Sequence, residues 1–287
     1  MTDQATVTDG DAPGPDRAVV DRPRRPRRRG LALAAVVAAA VVVAAVIGVV
    51  RQPPADPDGR VILYGDSLSF EAHGAFAAEL AATTRSELVT RVVPGTSPCD
   101  HLASMEADRA QRPDVVVIQF VGNNASPCAL GPDGQRLVGQ ALADRTEADV
   151  RNAVELWAAA GARVVLVGGP DSPGLPGRAG LQIADAYNRI VNEWAGRDLG
   201  RVRYADAAGT VTGPDHEFVR RLPCGPDEDA ATGCEDGEVT VRADDDLHFC
   251  PLRWDEDESA CSGPSPGAAR FGREMARVAA LALDPAY

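Results

Sequence analysis

The sequence predicts an α/β fold, a three-layer sandwich around a central parallel five-stranded sheet, preceded by one transmembrane helix. Three observations lead there: five short apolar runs alternating with helix-like segments, an uncharged stretch of twenty residues near the N-terminus, and six cysteines that all follow that stretch.

The N-terminal segments come first. Residues 1–21 are rich in Asp, Pro, Gly and Thr and too polar to bury a core, so a disordered tail is expected. Arg22, Arg24, Arg25, Arg27, Arg28 and Arg29 extend that tail to residue 30 as a basic cluster. Leu31–Val50 then runs for twenty uncharged residues. At about 1.5 Å per residue this matches a hydrocarbon core of about 30 Å. It exceeds the roughly 7–15 apolar residues of a cleaved signal peptide, and no small-x-small site precedes Arg51. The arginines lie before the span and only Arg51 and Arg60 follow it closely, so the positive-inside rule places the N-terminus in the cytoplasm. A single-pass plasma-membrane protein results, with residues 51–59 as a short stiff linker and 60–287 as one extracellular domain.

Composition narrows the function. A net charge of −13 argues against a nucleic-acid partner, because phosphate binding draws on clustered cations, and every basic residue here is Arg. An even number of cysteines beyond the span suits an oxidising compartment. Closeness in the chain and loop position suggest the disulfides Cys224–Cys234, Cys250–Cys261 and Cys99–Cys128. Cys-x-x-Cys spacing is missing, so no metal is expected. The acidic runs Asp227–Asp229 and Asp255–Glu258 lack the alternating ligands and central Gly of a calcium loop and read as solvated loops.

In the outer domain the strand candidates are Val61–Tyr64, Leu88–Val93, Val115–Val121, Val164–Val167 and Val202–Tyr204. Three helical stripes lie between and after them. Val150, Val154 and Trp157 follow a Thr146-x-x-Asp149 capping signal; Leu181, Ala184, Tyr187, Val191 and Trp194 form the second; Phe271, Met275 and Val278 mark a C-terminal helix led in by Ser265-Pro266. All three stripes are expected to be core.

Ligand sites in such sheets lie beyond the carboxyl ends of the strands. The first strand runs into Gly65-Asp66-Ser67-Leu68-Ser69, where a Ser at a strand-to-helix turn exposes its hydroxyl beside a helix N-terminus that favours negative charge. Asp66 and Ser67 would also serve as plain helix caps. The second strand is followed by Val93-Pro94-Gly95-Thr96 and the third by Val121-Gly122-Asn123-Asn124. Near the C-terminus stands Asp245-Asp246-Leu247-His248, a spacing that lets a carboxylate hold one ring nitrogen while the other faces a nucleophile. In another register Asp244 or Asp246 would take that part. His73, His101 and His216 read as surface or loop residues.

These four blocks, in this order, resemble the SGNH (GDSL-like) hydrolase family over about residues 60–285. The resemblance implies a flavodoxin-like sandwich, the triad Ser67, Asp245 and His248, and an oxyanion hole made by Ser67, Gly95 and Asn124. Asn123 is the alternative donor, and Ala125 stands where many members carry Asp. The implied function is a serine esterase or deacetylase cleaving a small-molecule or glycan acyl ester through an acyl-serine, without a cofactor. Two other readings stand beside it. One is an O-acyltransferase modifying an envelope glycan with a separate membrane partner, and the other an inactive binding module on the same fold.

Overall fold

In the computed structural model, residues 58–250, 261 and 263–284 are described; they fall within the unit Asp56–Tyr287. The apolar stretch 31–50, the arginine cluster and the acidic run 255–258 lie outside them. Among the described residues no helix is long and apolar enough to cross a membrane.

The five apolar runs become five parallel strands: β1 (Arg60–Gly65), β2 (Glu87–Val92), β3 (Val115–Gln119), β4 (Arg163–Val167) and β5 (Val202–Ala205). Their order is β2-β1-β3-β4-β5. The chain leaves β1 for one edge and returns to build β3 on its other side, so a crevice opens at the carboxyl ends of β1 and β3. Val121, expected in the third strand, lies beyond it, since β3 ends at Gln119.

Strand residues alternate between two cores because successive side chains leave opposite faces. Val61, Leu63, Val115, Val117, Val165 and Val167 point to one face, covered by α1 (Ser67–Thr83) and by a helix running Pro266–Leu283. Ile62, Tyr64, Val116, Ile118, Val164 and Leu166 point to the other. That face is covered by α2 (Pro98–Asp108), α3 (Gly139–Ala159) and α4 (Gly180–Ala195), so the C-terminal helix is α5. A small antiparallel sheet, absent from the sequence reading, comprises β6 (Arg221–Pro223), β7 (Cys234–Glu235) and β8 (Glu238–Thr240) in the order β6-β8-β7.

Two helical expectations need correction. Helix α3 starts at Gly139, so Thr146 and Asp149 lie in its interior and are buried; no capping box forms there, although Val150, Val154 and Trp157 are core as expected. On α4 the buried stripe is Ile183, Ala186, Tyr187 and Ile190, whereas Leu181 is exposed and Ala184, Val191 and Trp194 are only half-buried. The two candidate stripes share Tyr187, and the sheet selects the one that includes the β-branched Ile183 and Ile190. Phe271, Met275 and Val278 are buried on α5, whose cap Ser265 accepts from the Ala268 N–H.

Glu228 is another departure. It is not a solvated-loop residue: its side chain is almost fully enclosed, pairs with Arg270 of α5 at 2.5 Å, and accepts from the Gly225 N–H. Asp229 caps the turn that follows.

Helices α1 and α5 approach so closely that a Cβ on Gly272 would lie 2.5 Å from the Ala72 carbonyl oxygen and 2.9 Å from the Phe76 nitrogen. Backbone cannot yield as a side-chain tip can. Gly272→Ala is therefore expected to destabilise the domain by about 1–3 kcal/mol through overpacking, despite alanine's better helix propensity. A urea midpoint unchanged or raised in Gly272→Ala, at constant m-value, would show that the two helices part freely.

Candidate active site

Ser67 is the first residue of α1, and its cap is Asp66. The Asp66 carboxylate is fully buried; Oδ1 accepts from the Leu68 N–H at 3.1 Å and Oδ2 from the Val121 N–H at 2.8 Å. It thereby joins the start of the helix to the segment leaving β3. Burial raises its pKa to about 6, against the pull of those backbone donors.

His248 and Asp245 arrive on the segment between β8 and α5. His248 Nε2 lies 3.0 Å from Ser67 Oγ, and Nδ1 lies 2.6 Å from Asp245 Oδ2. The other Asp245 oxygen accepts from the backbone N–H groups of Leu247 and His248, both at 3.0 Å. Burial acts to raise the Asp245 pKa, but the His248 ring and these two N–H groups outweigh it and hold the carboxyl below its ordinary range. Asp244 and Asp246 are turned away: Arg220 lies 2.6 Å from Asp246 Oδ1 and 3.6 Å from Asp244 Oδ1. Asp246 also has a positive φ of 62°, and the Ala243 N–H closes the loop onto the His248 carbonyl at 2.7 Å. Across the crevice, Ser172 Oγ in the loop after β4 donates to the Asp246 carbonyl.

The expected oxyanion donors occupy the same end of the sheet. Val93–Thr96 forms a turn in which Gly95 takes φ 77°, the left-handed position glycine favours. Among the described residues, the N–H groups of Ser67 and Gly95 donate to no protein acceptor. Asn124 Nδ2 donates to the Leu137 carbonyl at 2.8 Å, which uses one of its two hydrogens. Asn123 Nδ2 is buried with no partner, while its carbonyl accepts from Ser97 Oγ.

The three expected disulfides, Cys99–Cys128, Cys224–Cys234 and Cys250–Cys261, are formed. The first ties the start of α2, just past Gly95, to the turn just past Asn124. Asp100 strengthens this tie by accepting from the Ser97 N–H at 2.8 Å and from Ser126 Oγ at 2.6 Å. Cys99, Asp100 and Cys128 also form the group of potential metal ligands among the described residues. The two sulfurs are bonded to each other, however, and only a free thiolate ligates zinc.

The other histidines lie elsewhere. His101 is not a surface residue as expected: it is buried on α2 beside Tyr64 and Phe120, its pKa lowered by burial, with Nε2 2.9 Å from Thr96 Oγ1. It thus supports the turn carrying Gly95, a role that only the fold reveals. His73 bonds the Phe70 carbonyl, and His216 faces Asp206 at 3.7 Å.

This arrangement of hydroxyl, imidazole and carboxylate agrees with a comparison of sequences. Residues 63–251 match the model of the GDSL-like Lipase/Acylhydrolase family. The chain belongs to that family. It is an SGNH-type serine hydrolase, a carboxylic ester hydrolase. No curated protein matches it. Among solved structures, it is similar to a Bacteroides fragilis protein described as an acylhydrolase, with 15% identity, a TM-score of 0.50, and coverage of 81% of this chain and 91% of that one. It is also similar to the psychrotrophic esterase EstA of a Pseudoalteromonas species, with 13% identity, a TM-score of 0.44, and coverage of 77% and 95%.

Asp66 gives the hydrolase a measurable pH signature. Its folded pKa lies above that of an exposed carboxylate, so the folded state binds this proton more tightly. The group's contribution to stability is present at low pH and is lost as pH rises from about 4 through about 6. A shift of this size corresponds to about 3 kcal/mol. Subtracting the stability of Asp66→Asn from that of wild type should give a difference that falls by this order between pH 4 and 7. A difference flat over that range would mean that Asp66 is not held as a strained buried acid.

Proposed function

We propose that the chain is a serine esterase or deacetylase that cleaves an acyl ester through an acyl-serine intermediate. The observation that carries this reading is the continuous relay from Asp245 through His248 to Ser67, at 2.6 and 3.0 Å. Ser67 Oγ attacks the ester carbonyl as His248 Nε2 takes its proton; the alcohol leaves with that proton, and water then releases the acyl group by the same steps in reverse roles. Asp245 keeps the Nδ1 proton in place and stabilises the imidazolium. Negative charge on the carbonyl oxygen is met by the N–H groups of Ser67 and Gly95 and by an asparagine amide. Family order assigns the amide to Asn124, and the unpartnered Nδ2 keeps Asn123 as the other candidate.

Ser67→Ala is expected to abolish turnover of p-nitrophenyl acetate, His248→Ala to come close, and Asp245→Ala to leave more residual activity, since nucleophile and base act as one unit. Mass spectrometry of the products, with and without envelope polysaccharide fragments, should find mostly free acid. Retained turnover in Ser67→Ala would remove the nucleophile, and predominant acylated glycan would favour the O-acyltransferase. A wild type inert to both ester and fluorophosphonate would leave the binding module.

Its setting, in this reading, is the outer face of a membrane. Support comes from the twenty uncharged residues 31–50, the arginines before them, and the three disulfides, which suit an oxidising compartment. Residues 1–30 then form a cytoplasmic tail and 60–287 the extracellular catalytic domain. Protease added to intact spheroplasts should digest that domain and spare the tail. The opposite pattern would reverse the orientation.

A further inference from the structure

Glu71 is a buried acid outside the relay just described. It stands on α1 one turn beyond Ser67, and residues four apart share a helix face. Its Oε2 accepts from the Phe249 N–H at 2.6 Å and the Cys250 N–H at 3.2 Å, the two residues that follow His248. The side chain is nearly inaccessible, and Oε1 has no partner among the described residues.

We propose that Glu71 is a positioning residue of the hydrolase, clamping the segment that carries His248 to the helix that carries Ser67. The proposal rests on the reading of Ser67 and His248 as nucleophile and base. The bonds from Asp245 to Leu247 and His248 are internal to their loop. They fix the ring against its carboxylate but not the loop against α1. Ser172 holds the loop from the β4 side only. Glu71 supplies the two backbone bonds that cross to α1, next in sequence to the base itself.

Glu71 is a buried ionisable side chain where an apolar one would avoid the cost of desolvation. Burial raises the Glu71 pKa, while attraction to His248 works against the rise. Arg242, two residues beyond the end of β8, is also buried, its guanidinium 4.8 Å from the centre of the Phe249 ring. Burial lowers the Arg242 pKa to about 10, offset in part by attraction to Glu71, so it stays cationic at neutral pH. The other charges of the His248 loop are paired, Asp245 with His248 and Arg220 with Asp244 and Asp246. Burying an ionisable side chain carries a desolvation cost that an apolar side chain avoids, so stability alone gives little reason for Glu71 and Arg242 at these positions. Holding the base at a fixed distance from the nucleophile gives one.

The test uses the full-length enzyme in detergent, with p-nitrophenyl acetate as substrate and Ser67→Ala as the inactive reference. Misplacing a catalytic group by about 1 Å can cost on the order of a hundredfold, so Glu71→Ala is expected to lower kcat by about that factor with KM changed by less than about twofold. Glu71→Gln keeps a carbonyl that can accept both N–H groups and is expected to lose only about tenfold. Labelling by a fluorophosphonate should slow in parallel, with far-UV circular dichroism unchanged. Three results would overturn the proposal: kcat retained in both variants, a rise in KM without loss of kcat, or a Glu71→Gln chain that does not fold, which would assign the residue to stability. A wild type with neither turnover nor labelling would bring down the esterase reading as well, whereas active wild type and inactive Ser67→Ala beside unimpaired Glu71→Ala and Glu71→Gln would bring down this inference alone.

Discussion

The Asp66 carboxylate joins the two strands whose ends define the crevice. One oxygen caps α1 through Leu68, and the other holds the Val121 N–H beyond β3. Burying an acid here is unfavourable, as its raised pKa shows, and each bond made to it offsets part of that penalty. Ser69 reinforces this link, its N–H and Oγ donating to Gln119 Oε1 at 3.0 and 2.6 Å, so the first turn of α1 is held to the end of β3 by both residues that flank Ser67 and Leu68. Asp66 is thus an architectural residue, and the position of Ser67, the proposed nucleophile, depends on it at one remove.

Much of this was legible in the sequence because the relevant signals are local. The apolar runs of β1, β3 and β4 are almost wholly buried and locate the sheet, and the strand-end blocks locate the residues around it. Register on the helices was less legible. On α4, Leu181 and Ile183 are both apolar and both lie on a stripe through Tyr187, and only the sheet decides that Ile183 faces it. The start of α3 was missed because its cap, Val138, makes no side-chain bond and leaves no signature. The β6–β8 sheet consists of strands of two or three residues, too short to show alternation.

The supporting residues around the site were the least legible, for a related reason. Glu71 and Glu228 look like ordinary surface charges in a chain with 25% charged residues. What distinguishes them is a partner far away in sequence: Glu71 meets Phe249, and Glu228 meets Arg270. A buried charge and a solvated one read alike until the fold encloses one of them. His101 is the same case in aromatic form, since its contacts with Thr96, Tyr64 and Phe120 come from three separate elements.

Ser67, the proposed nucleophile, enters early in the domain and His248, the proposed base, late, so the two meet only when both ends of the domain have packed. That packing is the contact of α1 with α5, where Phe76, Ala72, Phe271, Met275 and Ala276 share one core. The Asp245–His248 loop immediately precedes the chain that leads into α5, and Cys250–Cys261 shortens the path between them. Ser265 adds a further tie by donating to the Phe249 carbonyl at 3.0 Å while it caps α5. Phe249, the residue after His248, therefore donates its N–H to α1 while its carbonyl accepts from the cap of α5. A change that separates these helices must pull on Phe249 from both sides, which couples the stability of the core to the distance between His248 and Ser67.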